Sequence, residues 1–181
     1  MNTTPREVNR AVPRILIVDD DPEMCRFLGQ LFTDEGYEPE SVHDGASALD
    51  RYRAKAFDLA LTDLMMPRMK GTELVGKLRE INPDAPILLI TAFGTIESAV
   101  EAMRAGAFHY VTKPFRNEEI LLHVRRALEQ GAMRRELQQL RSELLTRDRF
   151  EDLVAKSDKM QKIFATVDRV ADLTANVLII G

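Results

Sequence analysis

Four short apolar runs divide the chain: Ile15 to Val18, Leu59 to Leu61, Ile87 to Ile90 and Phe108 to Val111. Runs this short, rich in β-formers and apolar throughout, read as strands buried on both faces, and segments of helical spacing lie between them. Asp21 followed by Pro22 marks a helix start, because the carboxylate caps free amides and proline suits the first helical position. Met24, Phe27, Leu28, Leu31 and Phe32 recur on one helical face, and Gly36 stops the helix. A weaker strand from Tyr37 to Val42 precedes a helix from Ala46 to Ala54. The strand from Phe57 to Thr62 leads into a loop, Asp63 to Gly71, marked by Pro67 and Gly71, and a helix follows from Thr72 to Ile81. Asn82, Pro83 and Asp84 turn into the strand at Ile87, Thr95 opens the next helix and Gly106 ends it. The last strand meets Lys113 and Pro114, where a cis bond is possible.

Five β-α units in succession predict an α/β fold, flavodoxin-like, with a doubly wound five-stranded parallel sheet in the order 2-1-3-4-5. Residues 1–13, polar with two prolines, read as a mobile tail, and 14–130 as the sheet domain. From Asn117 helical character continues to Arg147, about 45 Å at about 1.5 Å per residue, too long to belong wholly to a compact domain. Ile120, Leu121, Val124 and Leu128 suit the sheet, whereas Met133, Leu137, Leu140 and Leu144 have the 4-3-4 spacing of a dimerising coiled-coil seam, so 131–149 read as a linker. An amphipathic helix packed on its own domain is the alternative. From Phe150 a further unit begins: Ser157 and Asp158 cap a helix bearing Met160, Ile163, Phe164, Val167 and Val170, and Val177 to Ile180 reads as a strand. A strand without neighbours cannot bury both faces, so 150–181 are expected to be a piece of a domain.

Composition narrows the function. A formal charge of −4 and a pI near 5.5 argue against a nucleic-acid surface on the chain as a whole. Arg125, Arg126, Arg134, Arg135, Arg141, Arg147 and Arg149 cluster late, but glutamates alternate with them, as on a solvated helix. Cys25 is the single cysteine, which excludes an intrachain disulfide and suits a reducing cytosol. No apolar run reaches membrane-spanning length and the first residues lack the core of a secretion signal, so a cytoplasmic protein without membrane contact is expected.

The strands end on chemistry. Asp19, Asp20 and Asp21 follow the first, Thr62 and Asp63 close the third, Thr91 the fourth, and Thr112 and Lys113 the fifth. Ligands of such sheets bind outside the carboxyl ends of the strands. Asp19, Asp20 and Asp63 brought together repel one another, which raises a carboxyl pKa or demands a cation. Mg2+ answers that demand, being hard and oxygen-seeking. Lys113 and Thr91 suit the oxygens of a transferring phosphoryl group, and Asp63 is the best nucleophile, since carboxylates form aspartyl phosphates. Taken singly, the aspartates read as helix caps and Lys113 as a surface charge. Their joint placement at strand ends favours a site.

In order and spacing, the segments Val18 to Asp21, Thr62 to Gly71, Ile90 to Ala92 and Tyr110 to Phe115 resemble the receiver (CheY-like) domain of two-component response regulators. The resemblance implies Asp63 as phosphoacceptor, Asp20 and Asp63 as direct Mg2+ ligands, Asp19 as a ligand through water, and the backbone carbonyl of Met65 completing the coordination. It implies Thr91 and Tyr110 as a switch pair and Lys113 as a phosphate binder. A histidine kinase or small phosphodonor would be the phosphate source, with the receiver catalysing its own phosphorylation and dephosphorylation and no further enzymatic activity.

The tail, through Phe150 to Val154, Met160, Val170 and Val177 to Gly181, is similar to the opening of the AAA+ ATPase domain of sigma-54-dependent transcription activators. There Gly181 would begin the phosphate-binding loop. The resemblance implies a self-associating regulator whose full-length parent acts on sigma-54 RNA polymerase and DNA. Two rivals remain: an aspartate-nucleophile phosphatase dependent on Mg2+, which would want a D-x-D-x-T pattern that Asp19 to Glu23 do not supply, and a pseudo-receiver acting as a dimerisation scaffold.

Overall fold

The computed structural model describes residues 12–92, 94–147, 149–150, 153–154, 157, 159–160, 162–163 and 166. Strands β1 (Arg14–Val18), β2 (Glu38–Val42), β3 (Leu59–Asp63), β4 (Ile87–Thr91) and β5 (His109–Thr112) alternate with helices α1 (Pro22–Asp34), α2 (Gly45–Ala54), α3 (Gly71–Ile81), α4 (Ile96–Arg104) and α5 (Asn117–Arg147). The strands form one parallel sheet in the order β2-β1-β3-β4-β5. The doubly wound topology expected from the sequence is therefore observed.

Alternation along the central strands supplies two cores. Leu16, Val18, Ala60, Ile87 and Leu89 pack with Ala48 and Leu49 of α2, Leu74, Val75 and Leu78 of α3 and Ala102 of α4. Ile15, Ile17, Leu59, Leu61, Leu88 and Ile90 face the other way, onto Cys25, Leu28 and Phe32 of α1 and Ile120, Val124 and Ala127 of α5. Each large side chain buried this way contributes about 1.5–3 kcal/mol. The register places the functional ends level: Val18 lies opposite Thr62, Asp63 opposite Ile90 and Thr91 opposite Thr112. The residues that follow β1 and β5, Asp19 and Lys113, thus emerge at the edge where β3 and β4 end.

The helix signals hold in detail. Asp21 caps α1 by accepting from the Glu23 amide, Asp44 caps α2 through Ser47, and Gly36 and Gly106 take positive φ of 82° and 95° where α1 and α4 have ended. The Lys113–Pro114 bond is cis. β3 differs from expectation at both ends, starting at Leu59 and including Asp63. Phe57 stacks on Tyr52 at 5.9 Å, and Asp58 accepts from the Arg14 amide at 2.9 Å, so both are spent on anchoring the strand's entry.

The chain divides into two compact units between Arg134 and Arg135. In the second, β6 (Arg149–Phe150) pairs antiparallel with β7 (Leu153–Val154), a hairpin too short to leave a sequence period. Of the helix expected after Ser157, the described residues Met160 and Ile163 are helical. The strand expected at Val177 to Ile180, Gly181, and residues 1–11 of the expected tail lie outside the described residues. Met133, Leu137 and Leu140 are exposed on α5, and the side chain of Leu144 lies outside the description.

Gly71, the first residue of α3, leaves no room for a side chain: a Cβ there would press on the Asp63 carbonyl, with Leu89 Cδ2 at 2.8 Å and the Leu64 Cα at 2.9 Å. Gly71→Ala should lower unfolding free energy by about 1–3 kcal/mol through overpacking. Urea denaturation reads the difference, and a variant as stable as wild type would contradict this close approach.

Candidate functional site

Two carboxylates emerge from neighbouring strands with one ammonium between them. Asp19, the residue after β1, and Asp63, the last of β3, are 3% and 7% exposed. Lys113 Nζ reaches Asp19 Oδ2 at 2.9 Å and Asp63 Oδ1 at 2.8 Å. The remaining oxygens take backbone donors: the Asp21 amide donates to Asp19 Oδ1 at 2.9 Å and the Met65 amide to Asp63 Oδ2 at 2.6 Å. Every carboxylate oxygen of the pair therefore has a donor, as buried charge requires.

The balance is electrostatic. Burial pushes the Asp63 carboxyl above its ordinary value; the Lys113 hydrogen bond and charge and the Met65 amide oppose this, and the Asp19 charge adds to it. For Lys113, burial pulls downward, but hydrogen bonds and charge from Asp63 and Asp19 carry the pKa upward. Lys113 is thus held protonated beside a carboxylate poor in water. The two buried carboxylates face one ammonium, so the cluster keeps a formal excess of one negative charge.

The structure brings Asp19, Asp63 and Lys113 into contact, and Asp20, next in sequence to Asp19, is exposed. Among the described residues no group of three or more His, Cys, Asp or Glu side chains is arranged as a metal site. Of the expected three-carboxylate cluster, Asp19 and Asp63 are bridged by the Lys113 ammonium, and Asp20 is exposed. The donor chemistry nonetheless fits Mg2+: carboxylates of Asp19, Asp20 and Asp63 and the Met65 carbonyl are hard oxygens, and the excess negative charge calls for a cation.

The loop after β3 is held by its backbone. The Leu64 amide donates to the Ile90 carbonyl and the Gly71 amide to the Leu64 carbonyl, each at 2.8 Å, while Arg68 turns the chain at φ 70°. Met66 is buried and the Met65 side chain is exposed. Thr91 is buried at the end of β4, and its carbonyl accepts from the Lys113 amide at 2.7 Å. Tyr110 lies on β5, opposite Leu89 and two residues before the partner of Thr91. Its hydroxyl is 2.9 Å from Ser98 Oγ.

Sequence reasoning misses three neighbours. Ser98 joins Thr95 in a capping box at the start of α4, a spacing visible in the sequence. His43 Nδ1 donates to the Asp19 carbonyl at 3.2 Å, and the buried Cys25 Sγ lies 3.4 Å from the same oxygen. No spacing rule signals these last two, because they depend on how α1 and the end of β2 close around Asp19.

Removing the ammonium should leave two buried carboxylate oxygens unpaired. Lys113→Met is expected to lose about 1–3 kcal/mol of stability at pH 7.5. Without Lys113 the Asp63 pKa rises further, so protonation relieves the penalty as pH falls, and the loss relative to wild type should shrink by pH 5. Urea titrations at both pH values check this; equal stability at pH 7.5 would contradict the bridge.

Comparison with known proteins agrees with this geometry. The profile of the response regulator receiver domain matches residues 15–125. The regulatory protein AtoC of Escherichia coli (strain K12) is 36% identical over 171 residues, covering 94% of this chain and 37% of its own. The crystal structure of a CheY-like response regulator receiver domain protein from Methanospirillum hungatei JF-1 superposes with a TM-score of 0.66 at 31% identity, covering 68% of this chain and 99% of that one. NtrX from Brucella abortus, crystallised in complex with ADP, superposes with a TM-score of 0.68 at 30% identity, over 90% of this chain and 35% of that one. The chain thus spans little more than a third of AtoC and NtrX. Its matched residues and the carboxylate–lysine edge of its sheet make it a member of the response regulator receiver domain family.

Proposed function

We propose that Asp63 accepts a phosphoryl group from a histidine kinase in a reaction that requires Mg2+. The observation that carries this is the placement of Lys113 Nζ against both Asp63 Oδ1 and Asp19 Oδ2. An Asp63 carboxylate oxygen bonds to phosphorus while the bond from phosphorus to the donor breaks, and the donor leaves with that electron pair. Mg2+, held by Asp19, Asp20, Asp63 and the Met65 carbonyl, would supply charge neutralisation for the incoming phosphoryl oxygens. Lys113 would follow the charge from carboxylate to phosphoryl oxygen. The Thr91 hydroxyl, one strand away, would move onto the phosphoryl group, with Tyr110 turning inward behind it. This chemistry is self-catalysed phosphotransfer and dephosphorylation.

The output would be a change in association. Met133, Leu137 and Leu140 stand exposed on α5 at coiled-coil spacing and, with Leu144, would form a parallel seam with a second copy. Fewer than three heptads give a weak dimer, which a shift of a few kcal/mol at the receiver would repopulate. In a longer parent, residues 150–181 would open the ATPase domain of a cytoplasmic sigma-54-dependent activator acting on polymerase and DNA. The likeness to AtoC over 94% of the chain supports that context.

Incubation with acetyl phosphate and Mg2+ should add one phosphoryl group, seen by intact mass and mapped to Asp63 by peptide analysis, and Asp63→Asn should abolish it. A label on another residue, or none on the wild type, would overturn the assignment.

A further inference from the structure

The residue that holds Tyr110 belongs to the start of α4. Ser98 Oγ lies 2.9 Å from the Tyr110 hydroxyl while also serving the α4 cap: it accepts from the Thr95 amide at 3.1 Å and donates to the Thr95 carbonyl at 3.0 Å. The Ser98 amide in turn donates to Thr95 Oγ1 at 3.1 Å. A serine hydroxyl has one proton and two lone pairs. The Tyr110 hydroxyl and the Thr95 hydroxyl, the latter at 3.2 Å, both meet this oxygen. The cap and the tyrosine therefore share one oxygen.

We propose that Ser98 is a positioning residue for Tyr110, holding its ring in the arrangement of the unphosphorylated chain and tying that arrangement to the first turn of α4. The inference rests on the reading above, in which Tyr110 moves when Asp63 is phosphorylated. A ring that moves away must give up the Ser98 bond, and the Thr95–Ser98 cap then reorganises. The helix so coupled carries a stripe of exposed apolar residues, Ile96, Val100 and Met103, one helical face that would feel the change. A bond made only with Tyr110 against Ser98 would bias the equilibrium between the two arrangements by its own net strength, and deleting it would shift that equilibrium toward the phosphorylated form.

Two measurements test this. In the unphosphorylated chain, amide hydrogen exchange at Ser98 should be about three- to tenfold faster in Tyr110→Phe, the range expected for losing one ordinary hydrogen bond. A Ser98 that merely caps α4 would show no response to a change on β5, so unchanged exchange overturns the proposal. Second, at subsaturating acetyl phosphate with Mg2+, the ratio of phosphorylated to unphosphorylated chain should rise about three- to tenfold in Ser98→Ala. Ser98→Thr, which keeps the hydroxyl, should return it toward wild type. An unchanged ratio in Ser98→Ala overturns the link to the switch, whereas a wild type that takes no phosphate overturns the phosphoacceptor reading itself, and the exchange measurement still decides whether Ser98 and Tyr110 are coupled.

Discussion

The bridge from Lys113 to Asp19 and Asp63 is the contact on which the rest of the site depends. Two carboxylates at adjacent strand ends, each nearly excluded from solvent, are not tolerable without a partner, since desolvation and the neighbouring Asp19 charge both oppose the charged form of Asp63. One ammonium within 3 Å of both makes the arrangement stable, yet two carboxylates still outweigh it. Lys113 therefore keeps the carboxylates together, and in the proposed reaction the residual charge would draw a cation and, with it, an anionic group to this edge.

The fold exists to hold that contact. Lys113 lies 94 residues from Asp19 and 50 from Asp63, and the two are joined only through the register of β1, β3, β4 and β5. Strands buried on both faces cannot slip without exposing their apolar set, so core packing fixes the site's geometry. Gly71 adds a local constraint by letting α3 start against the Asp63 carbonyl. On the far side, the Tyr110–Ser98 contact joins β5 to α4, so the strand that supplies Lys113 also touches the helix with the exposed apolar stripe.

The sheet order and the helix starts were legible because they rest on local rules: apolar runs of strand length, Asp21 before Pro22, and Thr95 and Asn117 at helix starts. The site was legible as a set of strand-end residues, since Asp19, Asp63, Thr91 and Lys113 each follow or close a buried run. Their partners were less so. Nothing in the sequence says that Lys113 bonds both carboxylates, or that His43 and Cys25 meet the Asp19 carbonyl, because such contacts are set by distances between distant segments. Ser98 carried a capping signal but no sign of its second duty. The entry to β3 is not legible, because Phe57 and Asp58 look like strand residues yet are engaged by Tyr52 and Arg14.

In the proposed reaction this edge, though bridged by Lys113, would take up a divalent cation through Asp19, Asp20 and Asp63. The most direct measurement is the melting temperature of the unphosphorylated protein across a Mg2+ titration at constant ionic strength, for wild type and Asp20→Asn. A ligand bound only by the folded state adds about 2.7 kcal/mol at a hundredfold excess over its dissociation constant, so the wild-type midpoint should climb by several degrees and the variant's should stay nearly flat. A wild type insensitive to Mg2+, or a variant that climbs equally, would contradict the account.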